Sequence, residues 1–172
     1  MDDIELRAQL EKHHTASYGW ALSCCSQNRT EAKDVLQTAY LKILEGRARF
    51  GGKSTFRTWL FSVIRNTAAD ERRRHWLRRL GLAKFAEEKE IESSLKEGKS
   101  DDEQQEVTKA FKAALKELPR RQQEVLHLVF YQDMTLEEAS EAMEVSIGSA
   151  RTHYERAKLN LRKYLDAQGD ET

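Results

Sequence analysis

Apolar residues in this chain return every three or four positions, and one proline, Pro119, is all there is to interrupt a helix. Eight glycines in 172 residues are too few for a β design, which needs a turn about every 8–12 residues. The pattern therefore predicts an all-α protein. A first helix is expected over 2–26, with Leu6, Leu10, Tyr18, Leu22 and Cys25 turned inward. Asn28, followed three residues on by Glu31, resembles a capping box opening the next helix. That helix buries Ala32, Val35, Leu36, Ala39, Tyr40, Ile43 and Leu44. The stretch "GRARFGGKS" over 46–54 reads as a loop, and Ser54 as the cap of a long helix reaching residue 80. Its stripe is Phe56, Trp59, Leu60, Val63 and Ile64.

Past residue 80 the composition turns ionic. The segment "EEKEIESSLKEGKSDDEQQE" has few large apolar residues and many ions, the composition of a solvated linker, flexible or partly helical. Two small helical domains, 1–80 and 106–172, are expected on either side of a linker over 81–105. The second resumes with the face Val107, Ala110, Phe111, Ala114, Leu115, Leu118. Pro119 suits the first position of a new helix carrying Val125, Leu126, Leu128 and Val129. Thr135 and Glu138 form a capping box for a short helix ending near Met143. After a brief turn, Ser146 caps a longer helix with Ala150, Tyr154, Ala157, Leu161 and Leu165 inward. Short helix, turn, basic helix is the pattern of a helix-turn-helix.

Lysine plus arginine equal aspartate plus glutamate, 29 each, yet the signs are sorted along the chain. Ten bases face Asp70 and Glu71 between Arg47 and Arg79. Nine acids face four lysines between Lys84 and Glu106. Five bases face Glu155 between Arg151 and Lys163. Two cationic stretches point to polyanion contact at two places. In the second, the helix start presents Ser149, Arg151, Thr152 and His153 to base edges. Arg156 and Lys158 come one turn on, and the amides near Ser146 suit a phosphate. A solvated basic face on a helical hairpin is the plainer reading of the same residues. In the first stretch, a Gly-Gly loop beside an arginine-rich helix suits a separated strand, whose unstacked bases meet aromatic and amide groups while cations hold its backbone. Asn66 can bond a base edge from that helix or simply face solvent. Trp59 lies within the apolar stripe and reads as core. Arg72, Arg73 and Arg74 are placed for phosphates.

No segment nears the roughly 20 apolar residues of a membrane span, and "MDDIELRAQ" is no signal peptide. Adjacent Cys24 and Cys25 fit no zinc spacing, and His13-His14 has no ligand partner at metal spacing. The cysteines read as small packed side chains of a reduced, cytoplasmic protein. No cofactor or metal is expected. An enzyme using either cysteine with a histidine lacks any sign of an activated nucleophile.

At "FRTWLFSVIRN" and at "LKELPRRQQEVLHLVF" with "TLEEASEAMEVSIGSARTHYERAK", the sequence resembles the extracytoplasmic-function group of alternative bacterial sigma factors. The resemblance covers almost the whole chain. It implies a non-enzymatic protein that binds core RNA polymerase and promoter DNA, both duplex and melted. Melting and −10 contacts carry over to Phe50, Gly51, Gly52, Lys53, Ser54, Thr55 and Phe56, and to Asn66 with Arg65 beside it. Contacts to the duplex −35 element carry over to Ser149, Arg151, Thr152, His153 and Arg156. The linker is implied to thread toward the polymerase active centre. Docking on the largest subunit carries over to Glu31, Asp34, Gln37, Tyr40 and Leu41. Here the pattern breaks, because lysine (Lys33) and threonine (Thr38) stand where the family has acids. Phosphorylation of Thr38 by a Ser/Thr kinase would restore negative charge; Thr30, Thr55 and Thr58 are less well placed. Glu144 stands where glycine is frequent in the turn. An anti-sigma partner is the other route of control. A helix-turn-helix regulator acting without polymerase is the rival reading, and it leaves the stretch from Phe50 to Arg74 unexplained.

Overall fold

The structure, a computed structural model, describes residues 1–81 and 102–169, with side chains from Lys109 onward in the second stretch. Most of the expected linker lies outside the described residues. The chain divides into two compact units, within 1–93 and 94–172. Every regular element among the described residues is helical.

In the N-terminal unit, α1 (Asp3–Lys12), α2 (His14–Cys24), α3 (Arg29–Leu44) and α4 (Phe56–Gly81) pack around one core. The single first helix expected over 2–26 is two. The chain breaks at His13, φ −98° and ψ 8°, where the imidazole stacks on Phe56 with ring centroids 6.1 Å apart. Neither Gly nor Pro marks the break; a tertiary contact makes it. The deepest pair in the core is also absent from the expected faces. Trp20 and Phe61 are fully buried and stacked at 5.9 Å. The indole Nε1–H donates to the Phe61 carbonyl at 2.9 Å, joining α2 to α4. Trp59 and Val63, expected inside, are half-exposed, while Thr58 and Thr67 are buried. Their hydroxyls explain it: Thr58 Oγ1 accepts from Thr55 Oγ1, and Thr67 Oγ1 donates to the Val63 carbonyl.

Caps set the helix starts. The Glu31 amide donates to Asn28 Oδ1 at 3.0 Å, as the sequence suggests. For α4 the cap is Thr55, not Ser54: the Thr58 amide donates to Thr55 Oγ1 at 3.2 Å. The Ser54 hydroxyl instead donates to the Thr55 carbonyl.

In the C-terminal unit, α5 (Asp102–Glu117), α6 (Arg120–Leu126), α7 (Leu136–Met143) and α8 (Ile147–Gly169) form the second bundle. A π-helical turn over His127–Tyr131 succeeds α6. The capping box of Thr135 and Glu138 is complete, with reciprocal bonds of 2.9 and 3.1 Å. Ser146 Oγ accepts from the Ser149 amide at 3.1 Å and starts α8. Of the expected inner face of α8, Ala150 and Ala157 are fully buried. Leu165 is not; it is 37% exposed.

Candidate polymerase and nucleic-acid interfaces

Three surfaces carry the residues singled out in the sequence. The first lies along α3. An apolar groove of about 560 Å³ runs between α2 and α3. His14, Tyr18, Lys33, Leu36, Gln37, Tyr40, Leu41 and Leu44 line it. Leu41 is 45% exposed. The Tyr40 hydroxyl lies 3.2 Å from His14 Nδ1, fixing one wall. Burial raises the Tyr40 phenol above its ordinary pKa, so it stays neutral. His14 and Tyr18 were not expected in this site; their spacing of four, which puts them on one face of a helix, was the available signal. Glu31, Asp34 and Thr38 do not line the groove. At spacings of three and four they share the stripe beside it, so α3 presents an apolar edge with Lys33 and an acidic edge with Thr38. Lys42, one turn past Thr38, ties this edge to α4, with Nζ 3.4 Å from Thr67 Oγ1 and 3.6 Å from Asp70 Oδ2.

The second surface is the loop before α4 with the outer face of that helix. Phe50 and Phe56 do not project freely. Their rings meet edge to face at 5.5 Å, and Trp59 closes the cluster at 5.5 Å from Phe50 and 5.3 Å from Phe56. Phe56 is buried. The cluster clamps both ends of the loop and leaves Gly51, Gly52, Lys53 and Thr55 exposed between them. Gly52 has φ +72°, a left-handed conformation that favours glycine. His13, stacked below, is held under its ordinary pKa, chiefly by burial and then by Lys12 and Arg57. Arg65 and Asn66 are half-buried on α4. The arginine run is not uniform. Arg72 turns inward, its Nη1 donating to the Cys24 carbonyl at 2.8 Å, which ties α4 to the end of α2. Arg73 and Arg74 stay outside, paired loosely with Asp70 at 3.7 Å and Glu71 at 3.4 Å.

The third surface is the helix-turn-helix. Glu144, ending α7, is left-handed at φ 55°, ψ 43°. Ser149, Thr152, His153 and Arg156 recur at i, i+3, i+4 and i+7, one stripe of α8. All but His153 are exposed. Thr152 Oγ1 donates to the Gly148 carbonyl at 3.0 Å, which fixes its rotamer. Arg151 and Lys158 lie on another stripe. Arg151 is exposed; Lys158 is held by Glu155 at 3.1 Å and over the Tyr154 ring at 4.5 Å. Among the described residues no helix is long and apolar enough to cross a membrane.

Known proteins match this layout. Residues 10–78 match the family model for Sigma-70 region 2, and residues 114–163 match that for Sigma-70, region 4. The RNA polymerase sigma factor YlaC of Bacillus subtilis (strain 168) is 30% identical over 145 residues, covering 81% of this chain and 80% of its own. The ECF RNA polymerase sigma factor SigX of the same organism is 27% identical over 149 residues, covering 84% and 76%. Among solved structures, the sigma factor RpoE, in complex with the anti-sigma factor NepR from Bartonella quintana, shares the fold. Its TM-score is 0.69 at 24% identity, over 94% of this chain and 97% of that one. CnrH, in complex with the cytosolic domain of CnrY, aligns with TM-score 0.65 at 21% identity, over 96% and 90%.

Proposed function

Because the chain belongs to the extracytoplasmic-function group of sigma-70 factors, and so serves promoter-specific initiation of transcription, we propose a division of that work among the three surfaces. The α3 edges dock core RNA polymerase: the groove with Gln37, Tyr40 and Leu41 takes apolar contacts, and Glu31 and Asp34 face basic helices of the largest subunit. The clamped loop and α4 hold the melted −10 strand. The loop from Gly51 to Thr55 closes on a flipped base, which offsets the cost of unpairing. Asn66 and Arg65 reach its neighbours, and Arg73 and Arg74 hold phosphates. Arg72, spent on the Cys24 carbonyl, positions α4 instead of touching DNA. In the C-terminal unit, Ser149, Arg151, Thr152, His153 and Arg156 read the duplex −35 element from the major groove. Lys158 and the amides after Ser146 take its phosphates.

The observation that carries this reading is that each compact unit contains one sigma region and exposes its own cationic face. The rival regulator without polymerase needs only the second. Run-off transcription with purified core polymerase on promoter fragments tests it. Specific transcripts dependent on this chain are expected; duplex binding with no transcription in any modification state would leave only the rival.

We further propose that docking is controlled by phosphorylation of Thr38. Lys33, in the groove lining, brings positive charge to the helix whose neighbouring edge receives a basic partner, which weakens docking. Thr38 shares the stripe of Glu31 and Asp34, so a phosphate there adds about −1.5 to −2 charges to the acidic edge. Thr58 is buried and hydrogen-bonded and offers a kinase nothing. Thr38→Glu is expected to bind core polymerase on the order of tenfold more tightly than the unmodified chain. Equal affinity would end the proposal and favour an anti-sigma protein as the regulator.

A further inference from the structure

The end of α4 breaks the rule that a helix in a small bundle hides its large apolar side chains. Trp76, Leu77 and Leu80 are 59%, 50% and 64% exposed. Around them, between Arg72 and Gly81, stand five arginines and His75 and no acid. Arg78 and Arg79 are exposed, and the side chain of Arg73 is 70% exposed. A patch both apolar and cationic fits an anion with hydrophobic faces. An acidic peptide and a DNA strand both answer that description.

Position decides between them. α4 is unbroken from Phe56 to Gly81, so its faces are set by helix geometry. Residues seven apart return to within about 20° of each other. Trp59, Asn66, Arg73 and Leu80 therefore make one line, with Trp76 and Leu77 on either side of it. The patch continues the face on which Asn66 stands, roughly 15 Å further along the axis. We propose that Trp76 is an additional promoter-contact residue. Its ring packs against the sugar and base edge of a DNA strand about four base pairs from the step met by Asn66, at roughly 3.4 Å per pair. Arg73 holds the adjoining phosphate. The inference rests on the promoter-binding reading of the N-terminal unit and assigns that unit a longer footprint.

The test is a series of fork-shaped promoter fragments bound by reconstituted holoenzyme. The paired arm is lengthened one base pair at a time on each side of the melted element. Wild type should gain affinity once one arm reaches about four pairs from the Asn66 step. Trp76→Ala should lose that gain, about five- to tenfold, while keeping its affinity for the shorter forks; Trp76→Phe should recover most of it. Trp76 is exposed, so neither change removes core packing. An equal gain in Trp76→Ala and wild type would overturn the inference. So would a loss of core-polymerase binding in Trp76→Ala, which would make the patch a protein-docking face. If wild-type holoenzyme binds no fork, the promoter reading itself falls with it.

Discussion

His127 shows how one side chain can tie the C-terminal unit to pH. It sits in the π-helical turn, stacked on Tyr131 at 5.3 Å, with the Gln132 amide nitrogen 3.1 Å from its Nε2. Burial lowers its pKa from the ordinary 6.5 to about 4. An amide N–H donating to Nε2 needs the neutral ring, so packing and hydrogen bonding agree. Above pH 6.5 the ring is neutral whether folded or not, and the stability is fully present. As pH falls from 6.5 toward 4, the unfolded chain takes up a proton that the folded one refuses, at about 1.4 kcal/mol per unit. Between pH 7.5 and 5.5 the C-terminal unit should lose about 1.4 kcal/mol by this route. Urea midpoints across that range would measure it, and His127→Leu should flatten the slope. An unchanged slope in the variant would assign the loss to other groups.

Among the elements, α7 is the one whose fate rests most on its ends. Eight residues form a helix too short to be stable alone; it is pinned by the capping box at Thr135 and by burial of Ala139, Ala142 and Met143. Thr135→Ala should cost about 1 kcal/mol of C-terminal stability. At the other end, Glu144 holds a left-handed backbone. There Glu144→Gly should gain about 0.5–1 kcal/mol, strain relief less the added freedom of the unfolded chain. Chemical denaturation of both variants checks the pair, and destabilisation by Glu144→Gly would deny the strain. The same helix shows what a sequence can disclose. Local signals such as the Thr135 box, the Asn28 cap and the Ser146 cap were legible, because each acts within a few residues. The break at His13, the Trp20–Phe61 pair and the inward turn of Arg72 were not. Each depends on a partner more than 40 residues away in the chain, and no spacing rule carries that. The candidate site divides the same way. The α8 stripe comes from periodicity alone, whereas the groove beside α3 needs His14 and Tyr18 from another helix, and the loop needs its aromatic clamp.

For the whole molecule, neutrality is a sum and binding is local. The 29 bases and 29 acids cancel, yet a phosphate within a Debye length of one face, about 8–10 Å at ordinary salt, senses that face and little else. Salt should therefore act on the two units separately. Each phosphate contact on duplex DNA steepens log affinity against log salt by about 0.9, and each on a single strand by about 0.7. Holoenzyme carrying Arg73→Ala and Arg74→Ala should bind a fork with an unpaired −10 strand with a slope flatter by about 1.4–1.6, the larger value applying where the phosphate held by Arg73 lies in the paired arm. On a fragment holding only duplex −35 sequence, its slope should not change. Arg156→Ala should do the reverse, by about 0.9 if Arg156 meets a phosphate and by less if it reads a base edge. Arg151→Ala should leave the slope nearly intact and relax preference at one base pair, a cost of about 1–3 kcal/mol. Titrations of each fragment over a fourfold salt range would separate these outcomes. If changes in either unit altered both slopes alike, the two cationic faces would not be independent, and the sorting of charge along the sequence would reflect solubility alone.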